Sequence, residues 1–276
     1  TISNAIFVYL GIYGLRSCMR NGHSAMYACS FVGYMIVGLT SILFHMTMKC
    51  KYPAILLTFC IDPFQLADEL SMVYATSIMS FVTFAYGQDT GTRIVTFLVL
   101  LFFVVFVTAW YVVYKNPIFH QVAFGVLMAA TVFRAAYATG WELRPALQAR
   151  NPKDCERIMK ELRNLVVYGV GVFVLGFAIW NLDNIHCENL RHARHIIQLP
   201  WGVVLEGHSW WHIFTGLAYC EIVWGIWLRR CLQAEENEYE VQWKYIMMVP
   251  IPSVEKKGMR RRESEEKLKL HSTKKE

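Results

Sequence analysis

The sequence predicts an all-α membrane protein, a seven-transmembrane helix bundle whose first span is short. Three observations carry this. Hydrophobic residues make up 55% of the 276 and charged residues 17%, with mean hydropathy +0.31, whereas a soluble domain carries about 25% charge. The apolar residues come in long blocks rather than at amphipathic spacing. Aromatics reach 14%, including nine Trp and fourteen Tyr, which suits a chain crossing two lipid–water interfaces.

A span needs roughly 20 apolar residues. Blocks 25–44, 66–86, 94–114, 117–138, 165–182 and 210–228 meet that standard, and block 2–15 reads as a shortened first span. Lipid tolerates no unpaired backbone polar group, so each block is expected to be helical. One such block could be a buried helix of a soluble protein; six in succession could not. The first fifteen residues show neither the basic leader nor the cleavage site of a signal peptide. A start at Thr1 rather than Met leads us to expect a truncated N-terminus.

Punctuation supports these cuts. Gly87-Gln88-Asp89-Thr90-Gly91 is a short polar turn, and Asn116-Pro117 places a proline at a helix start. Residues 144–163 form a charged connection with amphipathic spacing, and residues 233–276 are polar with both signs of charge. The expected organisation is therefore a membrane domain over 1–232 and a cytoplasmic, largely disordered tail over 233–276. Its basic residues could touch anionic headgroups, although the interspersed Glu favours a solvated tail. There is no internal repeat.

Orientation follows from Lys and Arg. With the first connection called side one, that side receives 21 of the 27 basic residues and side two receives five, Arg134 lying within a span. Without the tail the ratio is still nine to five. Side one is expected to be cytoplasmic, with the C-terminus there.

Ionisable groups at membrane depth point to function. Ser41 and His45 end the second block, four residues apart on one helix face. Asp68 and Glu69 start the third. His208 and His212 start the seventh, at the i, i+4 spacing that lets two imidazoles reach one metal. The topology puts His45, Asp68, His208 and His212 on the lumenal side at one depth, which hydropathy did not require. Three His form a catalytic zinc shell with a fourth position for water. Zinc lowers the pKa of that water toward ~7 and polarises a carbonyl. Asp68 could serve as general base, and Ser41 could donate a hydrogen bond to a metal ligand, the water or a developing oxyanion. A lone H-x-x-x-H is more often structural, and a lone His more often packs or caps. It is the coincidence of four groups at one depth that favours a metal.

His23, His192, His195 and His271 are read as solvated. His120 and His186 lie on the lumenal side without ligand spacing, and His120 is at best an outer partner of the site. Trp180-Asn181-Leu182-Asp183-Asn184 ends the sixth block; a polar cap is the leading reading and a place for Asp183 at the rim of the site the other. Eight scattered cysteines without a C-x-x-C pair read as small apolar filler. One lumenal disulfide involving Cys50, Cys60 or Cys187 is the alternative left open.

The stretches Phe44-His45-Met46-Thr47, Asp68-Glu69-Leu70, Pro117-Ile118-Phe119-His120-Gln121, Trp180 to Asn184 and His208 to His212 together resemble the alkaline ceramidases, with the fungal phytoceramidase branch most similar. That family lies in the wider superfamily of seven-span metal hydrolases. The resemblance runs from Thr1 to about Arg230. It implies zinc bound by His45, His208 and His212, water activated by Asp68, and a transition state stabilised by Ser41. It implies hydrolysis of ceramide or phytoceramide to a sphingoid base and a fatty acid, in the endoplasmic reticulum or Golgi membrane. The partner is a lipid, and no nucleic-acid partner is expected.

Two departures stand out. Family members carry an acidic, Asn-containing calcium-binding segment before the first span; this chain begins after it, so no Ca2+ ligand is assigned. The family also places its Asp sooner after the first metal His than the 23 residues separating His45 from Asp68 here. The surplus, within residues 50–64, reads either as a re-entrant lumenal loop or as a gene-model error. A receptor of the same superfamily, with its metal site retained, is the competing reading; the Lys/Arg count argues against that inverted branch. A transporter would predict inverted repeats, which are not seen.

Overall fold

The computed structural model describes residues 2–47, 54–246 and 249–258. It is mostly helical. A 3-10 turn, Ile2–Asn4, leads into α1 (Ala5–Arg20), α2 (Ala25–Thr47), α3 (Ala54–Ala85), α4 (Thr90–Tyr114) and α5 (Pro117–Tyr137). A π-helical turn, Ala138–Leu143, joins α5 to α6 (Arg144–Arg150). Then come α7 (Pro152–Ile185), α8 (Cys187–Ile197), a 3-10 turn Trp201–Leu205, α9 (Gly207–Leu217) and α10 (Cys220–Leu232). An antiparallel hairpin, β1 (Tyr239–Ile246) with β2 (Val249–Lys256), closes the order.

Local chemistry sets these boundaries. Gly22, at φ +64°, lets the chain leave α1 while the N–H of His23 reaches back to the Cys18 carbonyl. Asp89 caps α4 by accepting from Thr92 N–H at 3.1 Å. Asn116 caps α5 through the N–H groups of Ile118 and Phe119, with Pro117 at the first turn. Asn151 and Pro152 start α7 in the same way.

Among the described residues, four helical stretches are long and apolar enough to cross a membrane: Ala25–Thr47, Thr90–Tyr114, Pro117–Arg150 and Pro152–Ile185. The buried core sits where α1, α2, α7 and α10 meet, around Leu10, Phe31, Leu162, Leu165, Val223 and Trp227. Elsewhere the helices turn apolar side chains outward: Phe102 and Val113 on α4 are 72% and 70% exposed. Exposed apolar side chains in such number along one helix suit a chain embedded in lipid.

Four segments differ from expectation. The third helix starts at Ala54 and runs through Pro63, so that part of the surplus before Asp68 is helix rather than loop; residues 48–53 lie outside the described residues. The connection over 144–163 is itself helical, and its amphipathic spacing buries Leu147, Cys155, Ile158 and Leu162. The seventh block is two helices. At Ala218 and Tyr219 the bonds tighten to Thr215 and Gly216 three residues back, which ends α9, and the Tyr34 hydroxyl takes the Gly216 carbonyl.

The last difference is the tail. Residues 239–256, expected to be largely disordered, form the hairpin, which folds back onto the α1–α2 connection. Tyr239 Oη donates to the Asn21 carbonyl at 3.2 Å, Lys256 N–H to Asn21 Oδ1 at 2.9 Å, and Arg150 pairs with Glu236 at 2.9 Å. Tyr239, Ile251 and Val254 are buried in the core, which supplies the apolar contact that a polar tail would lack. His23, expected to be solvated, bridges Val254 and Arg230 beneath it. The rest of the tail, including His271, lies outside the described residues. Cys18, Cys29, Cys155, Cys187, Cys220 and Cys231 are free thiols; Cys50 and the Cys60 side chain lie outside what is described.

Candidate metal centre

The end of α2, the body of α3 and the start of α9 converge at one end of the bundle. α2 brings Ser41 and His45 on one face, and α9 brings His208 and His212 one turn apart. The three imidazoles each offer a nitrogen within 4.8 Å of the other two. His45 Nε2 and His208 Nε2 stand 3.3 Å apart. Two nitrogens bound to one tetrahedral zinc at ~2.0–2.1 Å are separated by about 3.3 Å, the edge of that tetrahedron. The observed spacing therefore fits a metal shared between α2 and α9.

A buried chain of polar groups leads away from the histidines. His212 Nδ1 bonds Asn4 Oδ1. Asn4 Nδ2 donates to Ser41 Oγ at 2.9 Å, and Ser41 Oγ to Asp68 Oδ2 at 3.4 Å. An Asn carbonyl accepts, so it fixes His212 with its proton on Nδ1 and leaves Nε2 for a metal. Asn4 is fully buried, and Ser41 and His212 nearly so. The short turn that carries Asn4 lies tight against α2 at Gly38, where a Cβ would stand 2.6 Å from Phe7 Cβ and 3.2 Å from the Asn4 carbonyl.

Asp68 is held from its backbone as well. Its carbonyl accepts from Ser71 Oγ at 2.7 Å, and Ser71 contacts Thr40 on α2 at 3.0 Å. The extra helical residues before it thus leave its carboxylate beside Ser41.

The remaining residues fall into two groups. Asp183 Oδ2 accepts from the His208 N–H at 3.2 Å, capping the start of α9, and Arg194 ties the same corner to Glu206 Oε2 and the Leu205 carbonyl, both at 3.2 Å. Gly207 is required there, since a Cβ would lie 2.6 Å from Asp183 Cβ. His120 does not join the histidine cluster. Its Nε2 bonds the Glu69 carbonyl at 2.8 Å, and Tyr111 bonds the Glu69 carboxylate, so it fastens α5 to α3 one residue from Asp68. His186 and His192 stay outside the site, both exposed.

Asn4 escaped the reading of the sequence. A polar residue at the edge of a short apolar block looks like an interface residue, and only the packing of its turn against α2 takes it inside.

A family model for ceramidases matches residues 1–255. Alkaline ceramidase 3 of Mus musculus is 31% identical over 231 residues, 83% of this chain and 76% of that protein. Alkaline ceramidase YPC1 of Saccharomyces cerevisiae is 30% identical over 259 residues, 89% of this chain and 75% of that protein. The putative alkaline ceramidase dcd3A of Dictyostelium discoideum is 24% identical over 280 residues. The mouse and yeast proteins match almost equally, so the identities do not single out a fungal branch.

Proposed function

The chain belongs to the ceramidase family and is an integral membrane hydrolase, and from that premise we propose that it cleaves the amide of ceramide or phytoceramide with zinc held by His45, His208 and His212. The observation that carries this reading is the convergence of three imidazoles with a carboxylate joined to them through Ser41 and Asn4.

When bound, zinc polarises a carbonyl and acidifies water. The protein's own groups do the rest. Asp68 takes the proton of the attacking water and delivers it to the leaving nitrogen as the C–N bond breaks. Ser41 Oγ, held by the Asn4 amide, turns its O–H toward the oxygen that gains charge in the tetrahedral state. The products are a fatty acid and a sphingoid base. An apolar shelf of Trp211, Trp180, Phe173 and Phe177, with ring centroids 5.6–6.1 Å from Trp211, lines the α7 side of α9 and suits an acyl chain.

We read α1 to α5, α7 and the broken pair α9–α10 as seven spans, with the histidines lumenal and the hairpin cytoplasmic. The Lys/Arg asymmetry supports that orientation, and the family resemblance supports the endoplasmic reticulum or Golgi. The test is fatty-acid release from a fluorescent phytoceramide by the purified chain, with and without zinc chelation, beside His212→Ala. Release lost under both treatments supports the reading. Full release from a chain free of zinc sinks it.

A further inference from the structure

The end of the bundle away from the histidines holds a cavity. α2 rises about 1.5 Å per residue, so Ser24, just before its start, lies roughly 30 Å along the axis from His45. There a cavity of about 270 Å³ opens between the α1–α2 connection and the last turns of α10, with Ser24, Tyr27, Arg229, Arg230 and Glu235 in its wall. That is a little below the roughly 300–1,000 Å³ of drug-sized ligand sites, the scale of a headgroup rather than of a whole lipid.

The two arginines differ. Arg230 is committed: it pairs with Glu235, donates to the Gly22 carbonyl at 2.6 Å and to His23 Nδ1 at 3.1 Å, and covers the Tyr239 ring. Arg229 has no ion pair or hydrogen bond among the described residues. Its guanidinium lies over the rings of Tyr86 and Tyr27, at 5.4 and 6.0 Å. Cation–π contact uses the face of the guanidinium and leaves its five in-plane N–H donors available. Arg230 and Glu235 cancel in charge, and burial holds His23 neutral, with a pKa of about 4. The wall therefore carries one uncompensated positive charge.

We propose that this cavity binds the phosphate group of an anionic phospholipid headgroup, with Arg229 as its cationic partner. The planar fork of Arg matches phosphate oxygens two at a time. An arginine closing the last span, flanked by tyrosines, sits at headgroup depth, where a phosphate is the abundant anion. The tyrosine faces orient the guanidinium before a ligand arrives, which reduces the ordering cost of binding. This inference is independent of the amide-hydrolase reading, because its site and its readout are separate from the histidines.

The test uses the full chain in neutral detergent. Retention of phosphatidic acid against phosphatidylcholine is read by native mass spectrometry and by the thermal midpoint, with inorganic phosphate and glycerol 3-phosphate as soluble competitors. Preferential retention of phosphatidic acid is expected, weakened about tenfold or more by Arg229→Gln and less by Arg229→Lys. Ser24→Asp adds an anion to the wall yet keeps a residue able to cap a helix. It should weaken retention to a similar extent, and it decides the matter if Arg229→Gln fails to fold. Equal retention of both lipids, or retention indifferent to these variants, overturns the proposal. Binding of soluble phosphate without retention of the lipid overturns the headgroup as its source.

Discussion

Asn4 and His212 are hydrogen-bonded although 208 residues separate them in the chain, so the short turn ahead of α1 orients an imidazole on α9. The same Asn4 reaches Ser41 at 2.9 Å, and Ser41 reaches Asp68. One amide thus links a histidine of the cluster to the carboxylate proposed to move the proton.

Replacing Asn4 with Leu keeps the volume and removes both bonds. Outer-shell partners of metal ligands are worth roughly 10–100-fold in affinity or activity. We expect a loss of that order in kcat/KM and weaker zinc retention in a chelator competition, with helix content unchanged. Unaltered zinc affinity and rate would remove Asn4 from the site.

Asp68→Asn preserves a partner for Ser41 but cannot accept a proton. General-base contributions are ~10²–10⁴-fold. The variant should bind one zinc per chain and lose activity by about that factor, mostly in kcat. A variant as active as the parent would show that the proton travels elsewhere.

Gly207→Ala places a methyl against Asp183, whose Cβ lies 2.6 Å from where the new atom would stand. Overpacking of this kind costs about 1–3 kcal/mol. Since Asp183 must also release the His208 N–H, the thermal midpoint and the zinc affinity should fall together. A drop in midpoint alone would mean that Asp183 only caps α9.

His23 joins the hairpin to the bundle as a neutral ring. Nε2–H donates to the Val254 carbonyl at 2.9 Å, and Nδ1 accepts from Arg230 Nε at 3.1 Å. Burial, aided by the Arg230 charge, lowers its pKa to about 4 from the ordinary 6.5, against the pull of Val254 and Glu235. The unfolded state takes up a proton first as pH falls. The contribution of His23 is thus fully present above about 6.5 and is lost progressively toward about 4. Amide exchange in β1 and β2 should speed up over that window, and His23→Gln should flatten the response. Exchange equally protected at both ends would contradict the docking role.

The sequence showed the helices it could encode locally. Hydropathy located α2, α4, α5 and α7 because lipid demands long apolar helices wherever the chain crosses. The i, i+4 spacing placed Ser41 with His45 and His208 with His212, because that spacing puts two side chains on one face. Polar caps such as Asp89 and Asn116 marked their boundaries.

Tertiary structure decided the rest. The helix through Pro63 runs against a local rule, since proline removes a helical hydrogen bond. The hairpin was hidden because its strands carry Pro250 and Pro252 and both signs of charge. A two-stranded ladder accepts such residues at its outer edges, and burial of Tyr239, Ile251 and Val254 comes only from docking on distant helices. Asn4 entered the site for the same reason. Spans and ligand spacing depend on neighbours within a few residues and could be read directly. The contact of Asn4 with His212, the closeness of Ser41 to Asp68 and the charge left on Arg229 depend on which helices pack together, and no local pattern in the chain records that.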